Sequence, residues 1–337
     1  MALLEFTPNG IYCPQADVYI DPWKPVKRAL ITHGHADHAR WGSKYYLCTH
    51  QAKPVIQYRL GNGPRIESVS YGEARTINGV KISFHPAGHI VGSAQIRVEH
   101  QGEVWVVSGD YKTENDGIST PFEPVKCNVF ITESTFGLPV FRWQPQREVM
   151  QEINDWWREN AAEGKVSIIM AYALGKAQRI LRYLDTNIGK VFTHGSVESV
   201  NKVLQSQGLI LPPAPKASVD NMRNAMEGSL VIAPPQALRS TWVRRFKDYS
   251  TGMASGWMAM RNTNRRGYDR GFVLSDHADW DGLNEAVLAT GAEKVFVTHG
   301  YTSQFAQWLN EQGIWAAEIG TEFHGEQLEE EDGEVEE

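Results

Sequence analysis

Between Val18 and Ser108, short apolar runs alternate with polar positions and are cut by turns containing Gly and Asn. Val18-Tyr-Ile, Arg28-Ala-Leu-Ile-Thr, Tyr45-Tyr-Leu-Cys-Thr and Val80-Lys-Ile-Ser-Phe are such runs, with Asn78-Gly79 as one turn. Ala94-Gln-Ile-Arg-Val and Val104-Trp-Val-Val-Ser follow, joined near Gln101-Gly102. Side chains of a strand point alternately to its two faces, so this pattern predicts stacked antiparallel sheets. Ala52–Leu60 has apolar residues at helical spacing instead.

The texture changes after Val129-Phe-Ile-Thr. An amphipathic helix is predicted over Gln146–Asn160, then a strand at Val166–Met170, a helix over Gly175–Leu184, a strand at Lys190–Thr193 and a helix over Val197–Gln205. Strand–helix alternation predicts a parallel α/β layer. Leu211-Pro-Pro-Ala-Pro reads as a connector, and Leu230-Val-Ile-Ala ends at Pro234-Pro235. The strand pattern resumes at Gly271–Ser275 and Lys294–Thr298, around a helix over Asp281–Ala289. An α/β segment is thus inserted between two parts of a sheet-rich domain. Val191-Phe-Thr-His-Gly-Ser is similar to Val297-Thr-His-Gly-Tyr, and no other repeat stands out.

The 337 residues, 42% of them hydrophobic and 22% charged, allow two domains of ordinary globular composition. No apolar stretch has the roughly 18 residues of a membrane span, and Glu5 in Met1–Phe6 argues against a secretory signal. Cys13, Cys48 and Cys127 form no CxxC pair, which fits buried thiols in a reducing cytoplasm. The charge of −7 becomes +1 when the eight acids between Glu326 and Glu337 are set aside. That acidic end is predicted to be a disordered tail, residues 325–337. Arg244, Arg245, Arg261, Arg265 and Arg266, interleaved with Trp242, Phe246, Trp257 and Tyr268, form a candidate face for a nucleic-acid backbone. Lys176 opens a helix after Gly175, where a cation and free backbone N–H groups suit a phosphate.

The chemistry concentrates in Thr32-His-Gly-His-Ala-Asp-His38, directly after a predicted strand. Three imidazoles and a carboxylate in six positions need partners, and this donor set suits zinc and neighbouring divalent metals. His33 and His35 straddle Gly34 and can grip one ion, while Asp37 and His38 belong to the next turn and can reach a second.

His33-x-His35-x-Asp37-His38 resembles motif 2 of the metallo-β-lactamase fold, an αββα sandwich in the α/β (α+β) class. Asp21 resembles the motif 1 aspartate, His89 in Gly88-His89 the motif 3 histidine, and Asp110 in Ser108-Gly-Asp110 the motif 4 aspartate. Phe130-Ile-Thr-Glu133-Ser-Thr-Phe, Ser275-Asp-His277-Ala-Asp and Val297-Thr-His299-Gly are similar to motifs A, B and C of the β-CASP nucleases. Tyr172-Ala-Leu-Gly-Lys-Ala-Gln178 is similar to their Ala-Leu-Gly-Arg-Ala-Gln helix entry. The resemblance runs from Asp21 to Gly300 and is strongest to the bacterial ligase-associated DNA exonucleases. It implies a metallo-β-lactamase domain at 1–138 and 267–324, with a β-CASP cap at 139–266.

Carried over residue by residue, the resemblance implies two divalent ions, zinc or manganese. His33, His35, His89 and Asp110 would hold one; Asp37, His38, Asp110 and His299 the other. Asp21 would orient the His-rich loop, and a hydroxide held by both ions would attack phosphorus. His277 would protonate the leaving oxygen, with Glu133 orienting it. The implied activity is a DNA exonuclease for repair or ligation-associated end processing, linked to a DNA ligase and helicase, with single strands or duplex ends bound between domain and cap. A histidine at motif C is typical of RNA-processing members, whereas Artemis-like DNA nucleases carry valine there, so His299 leaves a β-CASP ribonuclease as the alternative. The metal ligands alone also fit a small-molecule hydrolase, such as a lactamase or a glyoxalase II-like thioesterase. A metal-deficient scaffold that binds nucleic acid without cutting is a further rival; such proteins usually lose ligands, and here every expected position is filled.

Overall fold

The alternating segments of the first third become strands of two sheets. In the computed structural model, which describes residues 2–218, 226–260 and 267–321, the first sheet has the order β1 (Glu5–Thr7), β2 (Gly10–Cys13), β3 (Val18–Ile20), β4 (Arg28–Leu30), β5 (Tyr45–Thr49), β6 (Arg65–Val69). β1, β2 and β3 are antiparallel, but β3 to β6 run parallel, unlike the expectation. Tight turns force a reversal; here the His-rich segment 31–44 and helix α1 (Lys53–Leu60) return the chain to the same end before the next strand. The second sheet begins with β7 (Arg75–Ile77), β8 (Val80–Pro86), β9 (Ala94–His100) and β10 (Glu103–Val107), which are antiparallel, and adds β11 (Val129–Ser134) parallel to β10.

From Val140 to Asp276 the chain builds a separate compact unit. It contains α2 (Gln146–Ala162), β12 (Val166–Met170), α3 (Lys176–Tyr183), β13 (Val191–Thr193), α4 (Gly195–Gln205), β14 (Leu230–Ala233), α5 (Pro235–Arg239), β15 (Tyr249–Ala254) and β16 (Arg270–Phe272). The sheet is fully parallel with the order β13-β14-β12-β15-β16. β12 and β14 are buried on both faces, as the middle of a sheet covered on both sides requires. Ile169, Leu230 and Ile232 pack with α2 and α3, while Ile168, Met170 and Val231 pack with Val243 and Phe246. β15 has no apolar run in the sequence. A side chain at Gly252 would lie 2.9 Å from Phe272 and 3.2 Å from Trp156, so the aromatic rings fill the space a strand residue normally takes.

The remaining elements are α6 (Trp280–Thr290), β17 (Lys294–Gly300), α7 (Thr302–Glu311) and β18 (Trp315–Glu318). They complete a first unit made of Met1–Pro139 and the chain from His277 onward. β17 and β18 extend the second sheet beside β11 in parallel. Ile20, Leu30, Phe84, Ile96, Val107 and Ile131 form one core between the two sheets. Ile56 and Leu60 of α1 cover the outer face of the first sheet, and Leu283, Ala286, Phe305 and Leu309 of α6 and α7 cover that of the second. The unit is therefore a four-layer α/β/β/α sandwich. Each fully buried aliphatic or phenyl side chain contributes about 1.5–3 kcal/mol to holding those layers together. Cys13 and Cys48 are buried, and all three cysteines are free. Among the described residues, no helix is long and apolar enough to cross a membrane. The expected acidic tail lies outside the described residues.

Candidate metal centre

Strand ends of the first unit converge on one edge. His33 follows β4, Asp110 follows β10, Glu133 and His299 lie near the ends of β11 and β17, and His89 lies between β8 and β9. A histidine placed just past a strand has its backbone held by the sheet while its ring is free to aim outward. Gly300 shows how tight the junction is: its φ is +88°, and a side chain there would run into the Ser134 carbonyl. Ser134 Oγ in turn donates to the carbonyls of His299 (2.7 Å) and Thr298 (3.1 Å), locking β17 against β11.

His33, His35, His89 and Asp110 are buried, and one donor atom from each lies within 4.8 Å of all the others. Asp110, Glu133 and His299 form a second such group, so Asp110 belongs to both. Its Oδ2 lies 3.5 Å from His33 Nε2, 3.6 Å from His38 Nε2 and 3.9 Å from His89 Nε2, while Oδ1 lies 2.8 Å from His299 Nε2. Asp37 Oδ2 is 3.6 Å from His38 Nε2. His33, His35, His38, His89 and His299 are thus brought together around one carboxylate, with Asp37 against His38.

Asp21 anchors this loop. Its Oδ1 accepts from Thr32 N (2.8 Å), and its Oδ2 accepts from Thr32 Oγ1 (2.5 Å) and His38 Nδ1 (2.8 Å). The backbone of Asp21 is in the left-handed region, φ +41°, a strained state for a non-glycine residue that these bonds hold in place.

The donor set fits a cation. Thr32 gives its hydroxyl proton to Asp21, so Thr32 Oγ1, 3.0 Å from His33 Nδ1, accepts from that ring. Nε2 of His33 then carries a lone pair, is buried without a hydrogen-bond partner, and faces another acceptor on Asp110. Two acceptors turned toward each other in the interior are repulsive unless a positive charge lies between them. Burial and the nearby His38 hold His33 well below the ordinary imidazole value, so it is neutral, the ligating form. Burial pulls His38 down as well, but Asp37, Asp110 and Asp21 outweigh it and push it up to about 10. Burial raises Asp110, yet His38, His299 and His277 hold it well below the usual carboxylate range. The pocket is built to contain positive charge, which protons or divalent ions can supply.

Glu133 belongs to a different device. Its Oε1 accepts from Tyr111 N (2.7 Å), its Oε2 accepts from Thr135 Oγ1 (2.5 Å), and His277 Nδ1 lies 3.0 and 2.9 Å from the two oxygens. A carboxylate so occupied has little left for a metal, although it lies within ligating distance of Asp110 and His299. It fixes the tautomer and orientation of His277, whose ring lies 4.6 Å from that of His89.

The other expected contacts lie in the second unit. Lys176 is fully buried, with its ammonium 3.8 Å from Asp276 and over the Tyr172 ring; Arg179 also reaches Asp276, at 3.1 Å. Arg244 is exposed, whereas Arg245 stacks over Trp242 and donates to the Ala217 carbonyl. Arg261, Arg265 and Arg266 lie outside the described residues. His194, in the third Thr-His-Gly, caps α4 through Nδ1, which accepts from Ser196 N. The motifs contain Thr32, Thr135 and Thr298 without giving them a role; a Thr directly before His33 and His299 was the available signal.

No protein-family model matches the sequence. A relative from Opitutus terrae named "Probable DNA ligase" is 32% identical over 317 residues, 93% of this chain and 30% of that one. The RNase J-like protein of Methanocaldococcus jannaschii is 30% identical over 241 residues, covering 60% of this chain and 55% of the relative. The cleavage and polyadenylation specificity factor 73 of Drosophila melanogaster is 30% identical over 176 residues, 49% of this chain and 25% of the relative. The chain therefore spans between about a quarter and just over half the length of these relatives. The crystal structure of an Enterococcus faecalis protein of unknown function matches with a TM-score of 0.61 at 10% identity, over 88% of this chain and 79% of that one, a likeness of fold alone. With the buried His/Asp cluster and the four-layer sandwich, these relatives support a β-CASP nuclease of the metallo-β-lactamase fold.

Proposed function

We propose that the protein is a metal-dependent nuclease that hydrolyses DNA phosphodiesters from an end, with Val140–Asp276 as its β-CASP cap. The observation that carries this reading is the position of Asp110, one carboxylate shared by two donor groups, beside the Glu133–His277 pair. His33, His35, His89 and Asp110 would hold one divalent ion, zinc or manganese, and Asp37, His38, Asp110 and His299 a second. Bound there, such ions supply electrophilic charge to the phosphoryl oxygens and acidify the attacking water. His277 holds its Nδ1 proton toward Glu133 and turns the other ring nitrogen to the site. From there it delivers a proton to the departing sugar oxygen, and the Glu133 carboxylate stabilises the charged ring.

The relative named as a DNA ligase supports a DNA substrate and a link to strand joining, since 93% of this chain aligns with 30% of it. The RNase J-like name, together with His299, favours an RNA reading as the alternative. Single-stranded DNA and RNA of one sequence, labelled at either end and incubated with Mn²⁺ or Zn²⁺, test the two. The account expects mononucleotides released progressively from one DNA end. Cleavage of RNA alone, or internal cuts at the outset, would replace it with a ribonuclease or an endonuclease.

A further inference from the structure

Thr298 lies at a junction that knits two parallel strands. β11 and β17 are in register through Thr132 and Val297, and a bulge follows before Ser134 meets Gly300. Thr298 Oγ1 donates to the Thr132 carbonyl at 3.1 Å, and a carbonyl can only accept. The same oxygen lies 3.1 Å from Nδ1 of the next residue, His299. Because the hydroxyl has one proton and has given it away, the ring nitrogen must be the donor. Nε2 of His299 is then the nitrogen turned to Asp110 Oδ1, 2.8 Å away.

We infer that Thr298 is a positioning residue, which makes Nε2 of His299 the metal-facing nitrogen by accepting the proton on Nδ1. The first sheet carries the same device: Thr32 gives its proton to Asp21 and accepts from His33 Nδ1, leaving Nε2 toward the other oxygen of Asp110. Two Thr-His pairs from two sheets thus aim matching nitrogens at one carboxylate. The other two Thr-His pairs behave differently: Thr49 Oγ1 donates to the Gly92 carbonyl, but His50 Nδ1 turns to Ser68. Thr193 Oγ1 donates to the Ala214 carbonyl, but His194 Nδ1 turns to Ser196 and caps a helix. The dipeptide alone does not set the tautomer; the hydroxyl must also lie against the following ring.

The inference rests on His299 being a metal donor. Its test uses the full chain, with Thr298→Val removing the hydroxyl at constant shape and Thr298→Ser restoring it. Zn²⁺ and Mn²⁺ titrations by calorimetry read the affinity of each equivalent, and thermal unfolding of the metal-free proteins reads the fold. The expected result is a Thr298→Val protein that binds its weaker equivalent about 10- to 100-fold less tightly, with Thr298→Ser within about threefold of the wild type. Equal binding by Thr298→Val, or a Ser variant as weak as Val, overturns the inference while leaving the metal site intact. A wild type that binds no metal overturns both. Should Thr298→Val fail to fold, ¹⁵N-histidine spectra of the metal-free wild type decide, with His299→Gln assigning the signal. A proton on His299 Nδ1 upholds the inference, and a bare Nδ1 overturns it.

Discussion

His277 Nδ1 lies 3.0 and 2.9 Å from the two oxygens of Glu133, so one carboxylate faces the ring nitrogen with both of its oxygens. In the proposed mechanism the charge of Glu133, more than its hydrogen-bonding capacity, serves the proton donor. Glu133→Gln keeps the shape and removes the charge. Turnover should fall by about 10²–10⁴-fold while bound metal is unchanged, read by single-turnover cleavage and elemental analysis of one sample. Parallel loss of metal would make Glu133 a ligand instead.

Asp110 and Asp37 should separate the two donor groups. Asp110 belongs to both, so Asp110→Asn is expected to lose both equivalents of metal. Asp37 lies against His38, so Asp37→Ala should lose one equivalent and all cleavage. Metal content after dialysis against a defined free-ion concentration checks both, and an active Asp37→Ala protein would refute the two-ion account.

Asp21 touches no expected substrate position, yet it accepts three hydrogen bonds that hold Thr32 and His38. Asp21→Ala leaves the buried Thr32 amide without its carboxylate, a loss of about 1–3 kcal/mol in the metal-free protein. Metal affinity should fall by about 10–100-fold besides. Urea unfolding of the metal-free protein and a metal titration measure the two effects separately.

Much of this cluster was legible because its candidate donors are chemically unusual neighbours in sequence. His33, His35, Asp37 and His38 fall within six positions, whereas Asp110, Glu133, His277 and His299 could be placed only by their resemblance to known motifs. Thr298 carries no such mark; its part emerges only when β17 lies beside β11 and the hydroxyl meets Thr132. The parallel half of the first sheet was hidden because alternation reports which face is buried and says nothing of strand direction. β15 was hidden because Gly252 surrenders its side-chain space to Phe272 and Trp156. Lys176 likewise read as a helix-start cation open to phosphate, and its ammonium instead lies buried near Asp276.

His194 should give the second unit a pH-dependent stability. Burial, with Arg245 and Lys216 nearby, pushes it down to about 4, against about 6.5 in the unfolded chain. Between those values the unfolded state binds more protons, so stability is full above about pH 6.5 and is lost as pH falls toward 4. After discounting for solvent screening of a partly exposed ring, the loss is about 1–2 kcal/mol. His194→Asn keeps an acceptor for the Ser196 amide and should flatten that part of the profile, read by urea unfolding across the range. An unchanged slope would show that other groups cause it.

The most direct measurement is phosphodiester cleavage by the metal-stripped wild-type protein before and after Mn²⁺ or Zn²⁺ is restored, with Asp110→Asn carried in parallel. The account predicts no cleavage of end-labelled single-stranded DNA without metal, recovery on adding either ion to the wild type, and none in Asp110→Asn. Cleavage that persists in thoroughly stripped protein, or an ion-loaded wild type that cuts neither DNA nor RNA, would contradict it.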